Sequence, residues 1–582
     1  MTDIRRTILW VIFGFSMVLL WDQWQVFNGK QATFFPAQKP AVVTAAPAAV
    51  AAPGTAATTT NSAAQAGNVP GATGSAVVPG QPPAAAEIPH ERVSINTDLF
   101  SATIDTDGAS LTNLALLKYS DLKDPNQRVV LFENESPATR YVAQTGILYQ
   151  GESGGLSYPN HTTPMAPKAG PRTMADGQDT LEAVFESQPV NGIKYVKTYV
   201  FQRGSYAIGV RHEIVNTGDQ PRSLQLYMEL RRHGTEVAGT MFGTNTYNGP
   251  AAYTNEKHFH KIAFSDIAKA KAEVPPPATD GWVAMVQHYF VSAWLLNGES
   301  NTLNRTFTVQ GPDKLGNNLF SLAMVAKLPV VAPGATQVVN STLFAGPEEE
   351  RKLEALAPGL DLVKDYGYFA IISKPLYWLL STLHSFIGNW GWSIVALVAL
   401  LKVAFYWLNA KAYASMAKMK AINPKVMELR TRLKDKPQEM QQAMMKIYKE
   451  EKVNPMGGCF PIVIQIPVFI ALYWVLLSSV EMRNAPWILW IKDLSSPDPF
   501  FILPLVMTMT TMLQTALNPA PPDPMQAKLM WIMPLAFSVM FFFFPAGLVL
   551  YWITNNILSI AQQWVINTRM GVPPQFNLPK FS

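Results

Sequence analysis

A chain of 582 residues is too long for one hydrophobic core, so two or more folded units are expected. The formal net charge of +5 is too small to argue for a nucleic-acid partner, and no DNA is expected. The lone Cys459 excludes an intramolecular disulfide framework and a multi-cysteine metal cluster, and the hydrophobic fraction of 48% averages a polar half with a very apolar one.

At the N-terminus, Arg5 and Arg6 precede an apolar run from Ile8 to Leu20, which the following residues to Phe27 extend to a short membrane span. Asp22, Gln23 and Trp24 follow that run with no small-x-small cleavage site. Residues 1–35 therefore read as an uncleaved anchor, with both arginines in the cytoplasm. Residues 36–90 are Ala, Pro, Thr and Gly with almost no aromatic side chains. Such a stretch cannot bury enough apolar area to offset ordering entropy and is expected to be a linker.

Across 91–350 the dominant pattern is alternation, as in Val93, Ile95 and Leu99, and again in Tyr206, Ile208, Val210 and Ile214, with Asn216-Thr217-Gly218 as the turn that ends the run. A period of two places apolar side chains on one face of a sheet. Further strand-like runs at 193–201 and 338–344 predict a large antiparallel β-sandwich outside the membrane. His258 and His260 share a strand face but lack an evident third ligand, so no metal is expected.

Residues 351–387 mix Lys374, Tyr377, Trp378 and His384 with leucine and isoleucine, which suits an amphipathic helix in the outer membrane interface. The alternative is an extension of the next span, kinked at Pro375. Residues 388–568 then carry apolar segments at 388–408, 460–480, 500–517, 527–545 and 547–566, each near the ~20 residues that cross a ~30 Å hydrocarbon layer. The stretch 409–459 is dense in lysine and arginine, whereas 481–499 offers only Arg483 and Lys492, so the first loop is expected in the cytoplasm. That agrees with the anchor and puts both termini in the cytoplasm, with the β-domain across the membrane. The tail, 569–582, is short and contains proline.

The basic loop reads as a helical hairpin turning at Asp435-Lys436-Pro437. Its methionines, among them Met416, Met419, Met444 and Met445, either contact apolar partners of varied shape or pack the hairpin against itself. Its basic residues suit anionic lipid headgroups or ribosomal RNA.

Lys402 is the chemical anomaly. Counted from Trp390 at ~1.5 Å per residue, it lies ~18 Å into the ~30 Å layer, and no acidic residue in a neighbouring span can pair with it. A charge at that depth costs at least ~2.5–3.5 kcal/mol unless water or a partner relieves it. It either snorkels to the cytoplasmic surface or lines a wet recess. Gln465, Gln514, Asn555 and Asn556 are the other intramembrane polar groups that could line such a recess.

The stretches Gly388-Asn389-Trp390-Gly391, Ser415-Met416-Ala417-Lys418-Met419, Lys452-Val453-Asn454-Pro455-Met456-Gly457-Gly458-Cys459-Phe460-Pro461 and Phe544-Pro545-Ala546-Gly547-Leu548 resemble the YidC insertases of Gram-negative bacteria. The resemblance implies an inner-membrane protein made of an N-terminal anchor, a periplasmic β-domain and a five-span α-helical core. In that core a hydrophilic groove, open to cytoplasm and lipid, admits nascent membrane proteins and helps them insert and fold. Lys402 falls where the family carries a positive residue; many relatives have arginine there, and lysine keeps the charge but lacks the planar fork. The family's substrate slide carries over to Gln465, Tyr551, Trp552 and Asn556. Implied partners are nascent chains on ribosomes, the general secretion translocon and membrane lipids, with no cofactor and no catalytic residue. The competing readings are a secondary transporter or channel, which intramembrane polar residues also suit, and an envelope enzyme anchored by its spans.

Overall fold

The computed structural model describes residues 90–571 and 576, apart from 122–123, 125, 150–156, 235–245, 313–317, 434–435, 452–459 and 519–523. The expected anchor, the linker up to residue 89, Cys459, part of the hairpin turn and most of the tail lie outside the described residues.

The alternating segments form two antiparallel sheets. One orders β1 (Arg92–Asn96), β2 (Phe100–Asp105), β3 (Ser110–Ser120), β5 (Tyr141–Tyr149), β10 (Leu224–His233), β16 (Leu319–Lys327) and β15 (Arg305–Gln310), with β4 (Arg128–Phe132) on β3. The other orders β12 (His258–Lys261), β11 (Gly249–Thr254), β13 (Trp282–Gln287), β14 (Phe290–Leu296), β17 (Thr336–Pro347), β9 (Ala207–Asn216), β8 (Ile193–Gln202), β7 (Thr180–Ser187) and β6 (Met165–Pro167).

Period two is strict in β9, where Ile208, Val210, His212, Ile214 and Asn216 all point inward. The pattern therefore drives a histidine into the core. Burial holds its ring well below the usual imidazole range, and both nitrogens are satisfied, Nδ1 by the Tyr195 hydroxyl at 2.6 Å and Nε2 by Ser341 Oγ at 2.9 Å.

Inward-facing residues of β8 cross the core to the first sheet. Lys197 Nζ donates to the carbonyls of Gly108 (2.6 Å) and Ala109 (3.2 Å), and the Tyr199 hydroxyl donates to Ala109 O at 2.6 Å. Full burial lowers the Lys197 ammonium from 10.5 to about 7. The unfolded chain then keeps this proton in a window where the folded chain has released it. Lys197 should therefore make stability rise with pH between about 7 and 10, by up to about 1.4 kcal/mol per unit, while below about 7 both states are charged and the penalty is complete. Unfolding monitored at pH 7 and pH 9 should show this slope in the parent and a flatter one in Lys197→Met.

A short helix, α1 (Phe264–Ala268), lies within the β-domain. Beyond β17 the chain turns helical: α2 (Glu350–Leu356), α3 (Ala370–Ile387), α4 (Trp390–Ala404), α5 (Tyr406–Arg432), α6 (Pro437–Glu450), α7 (Phe460–Ser478), α8 (Ile502–Leu517), α9 (Pro524–Met540) and α10 (Ala546–Arg569). Helices α3 and α4 are separate rather than one span kinked at Pro375. Gly388, at φ 73°, ends α3 with its N–H on His384 O, and the Asn389 side chain caps α4 by accepting from the Trp392 N–H at 3.0 Å.

The first apolar helix of the core is shorter than the expected segment 388–408: α4 stops at Ala404, and α5 leaves at a 68° bend, so the hairpin begins at Tyr406 rather than at residue 409. The break is stabilised by Gln562 Nε2, which donates at 3.1 Å to the Lys402 carbonyl left open at the helix end. Among the described residues no single helix is long and apolar enough to cross a membrane, whereas the bent pair together has the length and composition to do so. The helical bundle nonetheless turns apolar side chains outward. Val403, Trp407, Met509 and Val539 are each at least 60% exposed, while Asn555, Asn556, Ser559 and Gln563 are buried. The core bundle is built from Leu380, Leu397, Leu472, Val475, Met507 and Leu548, and a second core fills the β-domain.

Candidate functional site

The helical bundle holds a small cavity, of about 40 Å³, lined by Val398, Leu401 and Lys402 of α4, Phe405, Leu408 and Asn409 at the bend, Gln465 and Val468 of α7, and Tyr551 and Asn555 of α10. Two of its polar groups, Tyr551 and Asn555, come from one stripe of α10 that Ser559 continues by a further turn. Tyr551, Asn555 and Ser559 recur every four residues and so stack on a single helix face.

Lys402 is 8% exposed and donates to Ser559 Oγ at 2.7 Å, while that hydroxyl donates back to Asn555 O at 2.7 Å. Gln465 Nε2 donates to Asn555 Oδ1, which ties α7 to the same stripe. Among the described residues no carboxylate lies within ion-pair distance of Lys402; its contacts are a hydroxyl and the cavity. A cation held by a neutral oxygen keeps most of its charge available to an entering ligand.

Of the residues singled out from sequence, Lys402, Gln465, Tyr551 and Asn555 meet in this cavity, and three do not. Asn556 lies about 100° round the helix from Asn555, and its amide donates to Thr511 (2.8 Å) and Thr510 (3.2 Å) of α8. Trp552 packs on Phe469 at 4.7 Å and Phe541 at 5.1 Å. Gln514, half-buried on α8, does not line the cavity. Conversely, Ser559, Gln562 and Asn409 belong to the site, with Asn409 Nδ2 donating to Gln562 Oε1 at 3.4 Å. The four-residue spacing below Tyr551 was the sequence signal that could have found Ser559.

In the hairpin, the buried face of α5 is Ala412, Tyr413, Ala417, Ile422, Val426 and Leu429. Met416, Met419 and Met444 are half-buried and Met445 is 59% exposed, so these methionines border that face rather than form its centre. Lys425 pairs with Glu451 at 2.6 Å across the hairpin. His258 and His260 stand on the sheet-edge strand β12, where the His258 ring leans on Tyr253.

Two family models cover this architecture: "YidC periplasmic domain" matches residues 92–379 and "60Kd inner membrane protein" matches 382–572. A membrane protein insertase YidC of Cupriavidus necator is 52% identical over 569 residues, 98% of both chains. The protein of the same name from Ralstonia nicotianae is 51% identical over 569 residues, again 98% of both, and that of Burkholderia multivorans is 51% identical over 571 residues, 98% of this chain and 99% of the relative. Among solved structures, an active YidC insertase crystal structure with its first transmembrane domain resolved aligns with 82% of this chain and 92% of its own, at 18% identity and a TM-score of 0.37. A β-domain and a helical core, each matched by its own family model, together with full-length relatives at half identity, place this chain in the YidC family of membrane protein insertases.

Proposed function

We propose that this protein inserts nascent membrane proteins into the bacterial inner membrane by admitting their polar segments to the Lys402 cavity, while their apolar segments move along the bundle wall into lipid. The observation that carries this is a nearly buried ammonium whose partner is a neutral hydroxyl, set in a cavity edged by polar groups. Transfer of the apolar segment into lipid supplies the driving force, at about 25 cal/mol per Å² of area removed from water. Lys402 and the polar stripe attract the acidic or polar residues that must cross. No covalent step is involved, and the family assignment leaves the transporter and enzyme readings without support.

The orientation we propose follows from which groups lie at each end of α4. At its start, Asn389 Nδ2 donates to Pro486 O at 3.1 Å, and Arg483 of the same 481–499 loop donates to Ser120 O of the β-domain at 2.6 Å. At its far end are Lys402, the cavity and the basic hairpin. With the β-domain periplasmic, the cavity and hairpin face the cytoplasm, as do both termini, and six spans including the anchor complete the topology. Helix α3 lies in the outer interface, where Ile371 and Phe386 are each about 85% exposed. The half-exposed hairpin methionines Met416, Met419, Met444 and Met445 suit apolar client segments, and the surrounding lysines suit lipid headgroups and ribosome–nascent chain complexes. Handover to or from the general secretion translocon belongs to the same reading.

A photo-reactive residue at Phe405, on the cavity wall, should form adducts with ribosome-bound nascent chains carrying one apolar segment, whereas the same probe at Phe386 should form few. Equal labelling from both positions would reject the cavity as the client path.

A further inference from the structure

The β-domain contains a second cavity, of about 250 Å³, whose lining includes Asp105, Asp107, Ser110, Arg140 and Arg231. At its edge three side chains converge from neighbouring strands. In the β1–β2 register Arg92 stands opposite Asp105, so the strand continues to bring His90 opposite Asp107. The backbone fixes this crossing, since Glu91 N donates to Thr106 Oγ1 at 2.8 Å and Thr106 N donates to Glu91 O at 3.0 Å. The β2–β3 turn is held from beneath by the bonds from Lys197 and Tyr199 to Gly108 and Ala109.

His90 Nε2 lies 3.0 Å from Asp105 Oδ1 and 3.8 Å from Asp107 Oδ2, and one ligand atom from each residue falls within 4.8 Å of the others. Tetrahedral ligands about 2.1 Å from a zinc ion stand about 3.4 Å apart, between the 3.0 and 3.8 Å that separate His90 Nε2 from the two carboxylates. One imidazole with two carboxylates suits borderline divalent ions. A second, independent observation points to the same place. Ser110 is 5% exposed, lines the cavity and has no hydrogen-bond partner for its Oγ among the described residues. It is paired directly across the strands from Asp105, which puts both side chains on one sheet face. A buried hydroxyl without a partner beside two carboxylates is accounted for by a water on a bound ion.

Apart from His90 itself, whose Nε2 is also 3.2 Å from Asp105 Oδ2, the cations nearby do not fill this role. Arg92 Nε is 4.0 Å from Asp105 Oδ2 with its side chain 59% exposed, and neither Arg140 nor Arg231 forms an ion pair with these aspartates.

We propose that His90, Asp105 and Asp107 bind one divalent transition-metal ion of the Zn²⁺ or Mn²⁺ class, with its open coordination position facing the β-domain cavity and Ser110. The site is independent of the insertion path, since it shares no residue with the Lys402 cavity.

The test uses the full chain in detergent micelles, stripped with a chelator and titrated calorimetrically with ZnCl₂ and, separately, MnCl₂. One saturable ion per chain is expected for at least one of the two metals. His90→Ala and Asp107→Asn, both at half-exposed side chains that the fold tolerates, should each weaken that site by about tenfold or more. The His258→Ala/His260→Ala double variant should leave it unchanged. Mn²⁺ paramagnetic resonance of the parent and of Asp107→Asn reads the same site without relying on heat. Absence of saturable binding of either ion, or parent-like affinity in both His90→Ala and Asp107→Asn, would overturn the proposal.

Discussion

Lys402→Ala is expected to lower insertion of single-span substrates with acidic translocated tails by tenfold or more, while Lys402→Arg retains most of it. A unit charge pair at 4 Å is worth about 4 kcal/mol at an effective dielectric of 20, and water in the cavity reduces this toward about 1.4–3 kcal/mol, or roughly ten- to a hundredfold. Folding should survive the change: without the ammonium, Ser559 Oγ still donates to Asn555 O, so α10 is left with no orphaned donor. Arginine restores the charge on a longer stem. A substrate with a neutral tail serves as the internal control and should lose little. Protease protection of the tail in proteoliposomes measures all three. Equal insertion of the acidic-tailed substrate by Lys402→Ala and Lys402→Arg would remove the charge from the mechanism.

The site was half legible in the sequence, for physical reasons. Lys402 stood out because an ionisable group amid apolar residues has no ordinary explanation. Gln465 followed from polarity at comparable depth, and Tyr551 from the family resemblance. Asn555 and Asn556 looked equivalent on the page, yet one residue of helix rotation sends the first to the cavity and the second to Thr510 and Thr511. Ser559 was overlooked because serine is unremarkable in an apolar helix, and its importance comes from the partner that α4 brings to it. Gln562 acts on a carbonyl that is free only because α4 breaks at Phe405, and nothing local in 388–408 announces that break.

The fold divides along the same line. Alternation located β1, β8, β9 and β17, because burial on one face is written residue by residue. Strand order was not legible. Pairing such as β14 with β17, or β5 with β10, joins segments tens of residues apart and is decided by the whole sheet rather than by either strand. The metal triad was missed for that reason too: His90 is separated from Asp105 by a full strand, and only the β1–β2 register brings them together.

The other large effect is expected at the junction between the β-domain and the bundle, where Lys364→Ala should destabilise the protein by about 3–5 kcal/mol, the usual cost of stranding one partner of a buried ion pair. Its side chain is 0% exposed, its Nζ lies 3.3 Å from Glu481 Oε2, and the ammonium sits 3.9 Å from the centre of the Tyr377 ring. Tyr377 donates its hydroxyl to the same carboxylate, so one lysine organises the loop after α7 and the start of α3 together. Glu348, at the end of the β-domain, adds to the loss. It is 4% exposed with Oε1 unpartnered among the described residues, and burial raises its carboxyl well above the usual range, an effect the Lys364 charge opposes. A raised folded-state value means that Glu348 costs nothing below about 4.5, where both states hold the proton, and costs progressively more as pH climbs above it. The Lys364→Ala loss should therefore be larger at pH 8 than at pH 5, and Glu348→Gln should recover part of it at pH 8. Melting of the full chain in detergent at both pH values, followed by tryptophan fluorescence, measures each shift. An unchanged melting temperature for Lys364→Ala at pH 8 would mean that packing, and not this charge, joins the two parts.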